Sequence, residues 1–284
     1  MISFFEDIFK YEKFPTEFEC LKQLEGSDLN YIGVPWTQIL NSHWLQFPGN
    51  RGRDYYLKEL SKYTVDTKDN FTVCQHDSYA SLSEYFKHLN ITKVFSTLHD
   101  TNVKLDGIDV IPISFAFGNT FDSDIDKDIT ISFVGSYTTH PIRQTIKDNI
   151  QGPYFIYRDQ YHVGSDVFEE KVVVEAEYKD VLERSRFSLC PRGSSPSSVR
   201  FWESLSCGAI PVLVSDDWDL PEWDWDNTII RLYESDIEAY NYDELCYKIN
   251  STSRHIECKL RSNCLKAYEK FKAGNFKQYI EDNI

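Results

Sequence analysis

Residues 184–216, RSRFSLCPRGSSPSSVRFWESLSCGAIPVLVSD, restrict what this 284-residue chain can fold into more than any other segment. Residues 186–191 form a short apolar run suited to burial on both faces of a sheet, and 192–198 a loop of small residues. Residues 199–207 read as a helix, which Gly208 can end through a left-handed C-cap, and 210–214 as a second apolar strand. This is a β-loop-α-β unit with parallel strands. Its loop aims backbone N–H groups from a helix N-terminus at whatever lies above the sheet, so an anion is the expected ligand.

Arg184, Arg186, Arg192 and Arg200 all fall in this stretch, although Lys+Arg 30 against Asp+Glu 45 leaves the chain at −15. Positive charge gathered against the global trend suits a diphosphate. Glu203, one turn into the helix, can accept hydrogen bonds from two neighbouring ribose hydroxyls, as the acidic residue of dinucleotide sites does. Taken singly, Ser197 or Ser198 could be an N-cap, Gly193 a turn and Glu203 a solvated helix charge. Together they point to a nucleotide. The sequence has neither GxxxxGK[ST] nor GxGxxG, so kinase and dehydrogenase readings lack support. The net negative charge argues against general nucleic-acid binding.

The rest of the chain alternates short apolar runs with longer amphipathic stretches, the pattern of α/β folds. Strands are expected at residues 71–75, 94–98, 108–115, 130–135 and 209–215, and a helix near 81–89. The acidic stretch 119–128, NTFDSDIDKD, reads as a linker. Helical spacing begins at Tyr242 and ends at the breaker Gly274, before one more short helix. Three parts follow: an acceptor-side domain at 1–125, a nucleotide-sugar domain at 126–255, and helices at 256–284 that pack back on the first domain. Residues 1–14 lack a basic start and an unbroken apolar run, so neither a signal peptide nor a membrane span is expected. Seven scattered cysteines without zinc spacing read as reduced thiols of a cytosolic protein.

SRFSLCPRG, Ser198-x-Arg200, Glu203, GAIPV, and Asp216 followed by Leu220-Pro221 resemble the signature of the exostosin family of glycosyltransferases. Phe133-x-Gly135 with Arg143 eight residues after Gly135 resembles the family's upstream motif. Asn50-Arg51-Gly52-Arg53-Asp54, His76-Asp77 and Asp109-Val110-Ile111-Pro112 are weaker echoes. The resemblance implies an α/β fold of GT-B type, two Rossmann-like domains facing across a cleft, and an inverting transfer from a UDP-sugar to a saccharide or glycan acceptor. Arg143, Arg192, Ser198 and Arg200 would contact the donor diphosphate and Glu203 the ribose, with Gly135 and Gly193 also in the donor-binding set. UDP-xylose is the first choice of donor, with UDP-sugar a substrate and no cofactor required. The His that often follows the family's Gly-Arg-Asp is here Tyr55. The family's Golgi-type anchor is not seen, so a cytoplasmic location is expected, the host cytoplasm for a viral member.

An inverting transfer needs a base for the acceptor hydroxyl and a positive environment for the departing diphosphate. Arginines and the helix N-terminus supply the second without a metal. Asp54, His76 and Asp77 are the candidates for the base, whereas His43, His88 and His99 read as structural. Of the Asp-x-Asp pairs at 122–128, 217–219 and 224–226, roughly two are expected by chance at this Asp content; the first run sits in the expected linker and the others adjoin Trp218, Trp223 and Trp225, so no metal is assigned. An inactive carbohydrate-binding protein of the same fold is the alternative. A glycoside hydrolase would leave the arginines unexplained.

Overall fold

The computed structural model describes residues 15–43, 50–159 and 168–284, without the side chains of 168–171. Residues 1–14, where no signal peptide is expected, lie outside the described residues. The chain forms two compact units: Met1–Gly118 with Trp218–Pro221 and Phe271–Ile284, and Asn119–Asp217 with Glu222–Lys270.

Among the described residues, unit 1 holds helices α1 (Pro15–Leu24), α2 (Trp36–Leu40) and α3 (Arg53–Leu60). It continues through β1 (Asn70–Cys74), a 3-10 turn, α4 (Ser83–His88), β2 (Ile91–Ser96) and β3 (Asp109–Pro112). The three strands pair in parallel in the order β1-β2-β3. Alternation along the strands divides the core, because successive side chains leave opposite faces of a sheet. Val94 packs with Trp36, Leu60 and Phe86 on one side, while Phe95 packs with Phe71, Val73 and the C-terminal Phe276 and Ile280 on the other. The indole N–H of buried Trp36 donates to Thr72 Oγ1 at 2.8 Å, which satisfies its polar atom inside the core.

Unit 2 contains β4 (Ile129–Ser136), α5 (Pro141–Asn149), β5 (Phe155–Arg158), α6 (Phe168–Glu183), β6 (Ser185–Pro191), α7 (Val199–Cys207), β7 (Ile210–Val214), β8 (Ile230–Leu232), α8 (Tyr242–Asn250) and α9 (Arg254–Phe271). The last helix, α10 (Phe276–Glu281), lies in unit 1. The five strands of unit 2 are parallel, in the order β5-β4-β6-β7-β8. The α7 boundaries are those expected, and Gly208 ends the helix at φ 71° with its N–H on Leu205 O. Both sheets are parallel, as the α/β expectation requires of each unit.

Three expectations shift. The acidic stretch 119–128 belongs to unit 2, so the division falls after Gly118 rather than at 125/126. Its polar groups are anchored there: Asp122 N–H donates to Glu183 Oε1 at 2.6 Å, and Lys127 Nζ donates to Cys207 O at 2.8 Å. In the C-terminal part, residues up to Lys270 stay with unit 2, and only 271–284 join unit 1. There Gln23 Nε2 donates to Ala273 O at 2.7 Å, and the Tyr279 hydroxyl donates to Pro112 O at 2.7 Å. The edge strands β5 and β8 are also present, four and three residues long and too short to show a period.

Candidate functional site

In unit 2 the strand order reverses between β4 and β6: from β4 the next strand, β5, lies to one side, and β6, β7 and β8 to the other. In an open parallel sheet this reversal leaves a crevice outside the carboxyl ends of the two central strands. The loops leaving those ends are 137–140, after β4, and 192–198, after β6. They carry the donor-side motifs. Topology therefore brings Gly135, Arg143, Arg192, Gly193, Ser198 and Arg200 together at the end of one sheet, although they are spread over two motifs in sequence.

Arg143, on α5, is buried and donates from Nε to Arg192 O at 2.6 Å, from Nη1 to Ser136 O at 2.9 Å and from Nη2 to Pro191 O at 3.0 Å. It thus ties the end of β4 to the end of β6, and its first effect is on the shape of the loop. Gly193 follows, its N–H donating to Ser195 O at 3.1 Å. Ser198 occupies the N-cap position of α7 but makes no side-chain capping hydrogen bond, so the plain N-cap explanation does not hold.

Arg200 is 9% exposed. Its Nη2 donates to Val134 O and its guanidinium carbon stands 4.4 Å from the Phe133 ring centroid. Among the described residues, its buried Nε and Nη1 have no hydrogen-bond partner. The same is true of Arg192 Nε, while Arg192 Nη1 lies 3.4 Å from Glu234 Oε1 and 3.5 Å from Asp217 Oδ2. Buried donors without acceptors are costly, by about 1–3 kcal/mol each and more when charged, and an anion would satisfy them. His140 caps α5 by accepting the Ile142 N–H on Nδ1 at 3.3 Å. Burial first, then the charges of Arg192 and Arg143, push its pKa down, so a neutral ring with its proton on Nε2 faces this cationic end.

Glu203 lies inside unit 2 at 6% exposure, so it is no solvated helix charge. Its Oε2 accepts the Tyr178 hydroxyl and its Oε1 accepts Asn119 Nδ2 at 3.4 Å. Burial raises its pKa, opposed by the Tyr178 hydrogen bond, the Arg200 charge and Asn119. A carboxylate offers about four lone-pair sites, so two protein donors leave capacity for a ribose. Tyr178 and Asn119 were not legible as site residues; each lies far from Glu203 in sequence and carries no motif of its own.

Two of the four clustered arginines leave the site. Arg184 pairs with Asp128 at 2.7 Å and Asp180 at 3.1 Å, and Arg186 with Glu257 at 2.6 Å. Both flank the start of β6, the opposite end of the strand from the loop. Arg192 and Arg200, with Arg143 behind them, are therefore the clustered arginines left at the loop end of the sheet. Among the described residues no group of three or more His, Cys, Asp or Glu side chains is placed to hold a metal ion.

On unit 1, Asp54 opens α3 with a side chain 91% exposed and an ion pair to Arg53 Nε at 3.3 Å. With His43, Arg51, Gly52, Arg53 and Tyr55 it lines an open cavity of about 470 Å³. His76 and Asp77 stand together just after β1. His76 Nδ1 lies 3.0 Å from Asp77 Oδ1, and its Nε2 lies 3.1 Å from Asn41 Oδ1. The His76 hydrogen bond is the main reason the Asp77 pKa is lowered. Among the described residues no hydrogen bond or ion pair joins Asp54 to either of them.

The family model for the exostosin GT47 domain matches residues 59–244, a span that takes in both donor motifs and the His76-Asp77 echo. The chain belongs to the exostosin GT47 family. An exostosin-1 homolog of Caenorhabditis elegans is 38% identical over 111 residues, covering 38% of this chain and 27% of that protein. A probable glucuronoxylan glucuronosyltransferase of Arabidopsis thaliana is 32% identical over 101 residues, covering 34% of this chain and 21% of that protein. This exostosin-family chain thus aligns with about a quarter of the length of those two relatives. Among solved structures, that of TarM is 11% identical with a TM-score of 0.40, over 80% of this chain and 56% of that one.

Proposed function

We propose that this chain is an inverting glycosyltransferase that moves a sugar from a UDP-sugar to a saccharide acceptor, with UDP-xylose the first donor to try. The observation that carries the reading is the pair Arg192, half-buried, and Arg200, buried, whose buried unpartnered N–H groups stand with an uncapped helix N-terminus at the reversal point of the unit 2 sheet. Fixed cationic donors of this kind stabilise charge that develops on a leaving diphosphate, and they do so most strongly in the transition state. Glu203 sits one turn further along α7, where it would take the ribose hydroxyls. A metal is not needed for the leaving group in this scheme. The base is assigned to unit 1, which holds Asp54, His76 and Asp77. A cytoplasmic location belongs to the same reading and rests on seven cysteines, none in a disulfide. Separately, no helix among the described residues is long and apolar enough to cross a membrane.

Calorimetric titration with UDP and a set of UDP-sugars, followed by assays of UDP release and product on a panel of oligosaccharides with and without EDTA, tests this reading. Binding of UDP and chelator-resistant transfer are expected. Binding without release or product would instead favour the inactive carbohydrate-binding protein, and a complete Mn²⁺- or Mg²⁺-reversible loss would bring a metal back.

A further inference from the structure

The two arginines left at the loop end of the unit 2 sheet keep different company. Arg200 and Glu203 share one face of α7, and the Arg200 guanidinium carbon stands 5.7 Å from the ring centroid of Tyr178, whose hydroxyl Glu203 accepts. Arg192 is joined instead to β7 and β8. Its backbone N–H donates to Val214 O at the end of β7, and its Nη1 lies 3.5 Å from Asp217, after β7, and 3.4 Å from Glu234, after β8. A nucleoside diphosphate sugar is a chain of ribose, two phosphates and sugar. With its ribose on Glu203, such a ligand meets Arg200 first and carries its sugar toward Arg192 and the β7 and β8 loops.

That end of the sheet is acidic, and its three carboxylates have different tasks. Asp216 and Glu234 clasp each other, Asp216 N–H donating to Glu234 Oε1 at 3.2 Å and Glu234 N–H to Asp216 Oδ1 at 3.1 Å. The clasp ties the β7 loop to the β8 loop and fixes Glu234 beside Arg192. Asp217 takes no part in it. Its side chain is 38% exposed, and among the described residues its polar contact is the 3.5 Å ion pair alone, too long for a strong hydrogen bond. Nor do these acids satisfy Arg192, whose buried Nε is without a partner among the described residues and remains open to a phosphate oxygen.

A carboxylate next to a diphosphate arginine opposes the charge of the ligand, yet it is well made to accept hydrogen bonds from two hydroxyls of a sugar ring. We propose that Asp217 reads the donor sugar and that this sugar is a neutral one, an inference that rests on the UDP-sugar reading above. Asp217 accepts hydroxyl hydrogen bonds from a neutral sugar. A uronic acid would instead bring a second carboxylate against Asp217 and Glu234 in a partly desolvated place, where like charges repel more strongly than in water. The discrimination falls on the sugar and leaves the hold on UDP to the arginines and Glu203.

Calorimetric titration with UDP alone comes first, and its failure to bind would defeat the donor reading itself. With UDP binding present, two isosteric pairs are compared, UDP-glucose with UDP-glucuronate and UDP-galactose with UDP-galacturonate, each differing only by CH₂OH or carboxylate at C6. The neutral member of at least one pair should bind about tenfold or more tightly than its uronate, and the ratio should shrink as salt is raised. Asp217→Asn should hold UDP within about threefold of the unaltered chain and bring that ratio down to about threefold or less. A merely structural role for Asp217 would lower the affinity for UDP and all four donors alike, and would overturn the proposal. So would uronates bound as tightly as their neutral partners by the unaltered chain, a result that needs no variant, or a ratio that Asp217→Asn leaves unchanged.

Discussion

A Cβ on residue 135 would stand 2.5 Å from Nη2 of Arg200. Gly135 is therefore the condition for Arg200 to lie across the end of β4 and reach Val134 O. Gly135→Ala should push the guanidinium aside. The clash is with the far end of a flexible side chain, so stability should change by less than about 1 kcal/mol. UDP affinity should fall about tenfold or more, the equivalent of 1.4 kcal/mol. Calorimetric titration beside thermal unfolding checks both halves, and unchanged affinity would mean that Arg200 does not touch the ligand.

Arg143 and Arg200 should separate in their effects. Arg143 satisfies three backbone carbonyls, so Arg143→Ala strands buried acceptors and should destabilise the fold by roughly 2–4 kcal/mol in denaturant titration. Arg200→Ala removes two donors that the protein leaves unpaired and a single bond to Val134 O, so it should cost less stability than Arg143→Ala while UDP affinity and turnover both drop. The reverse pattern would exchange their roles.

Glu203→Ala should weaken UDP binding by about 1.5–3 kcal/mol with the fold intact. Tyr178→Phe is the sharper test. The Tyr178 hydroxyl is the foremost of the contacts holding the Glu203 pKa down against burial, so its removal lets that pKa rise further. The carboxylate must be ionised to accept two ribose hydroxyls, so the affinity lost by Tyr178→Phe at neutral pH should recover in part as pH increases. A loss independent of pH would show that the ring acts by packing alone.

Glu17 carries a pH dependence of stability. It is buried, accepts the Thr37 hydroxyl at 2.6 Å and Gln75 N–H at 2.9 Å, and burial nevertheless pushes its pKa from 4.5 up to about 7. An acid whose pKa is raised on folding contributes stability that is complete below about 4.5 and lost as pH rises through about 7. Relative to Glu17→Gln, the unaltered chain should lose up to about 3 kcal/mol between pH 5 and pH 8. Parallel slopes in urea titrations of the two proteins would refute this assignment.

The sequence by itself determined the local units. A run such as residues 185–191 can satisfy its backbone and bury both faces only as an interior strand, and the Gly208 left-handed cap closes a helix whose length was readable from its spacing. The loop of small residues, the arginines at 192 and 200 and the carboxylate at 203 were legible because they are close neighbours along one β-loop-α-β unit. Tertiary structure alone decided which charges remain for a ligand. Arg184 and Arg186 carry the same charge in the same segment, yet they sit at the start of β6, where Asp128, Asp180 and Glu257 neutralise them. Strand order is also a non-local property, and it places the β4 and β6 loops side by side. Pairings such as Tyr178 with Glu203 and Asp216 with Glu234 join residues whose separation along the chain leaves no periodic or motif signal. Such contacts form only when packing brings distant segments together, so local preference, which acts over a few residues, could not have shown them.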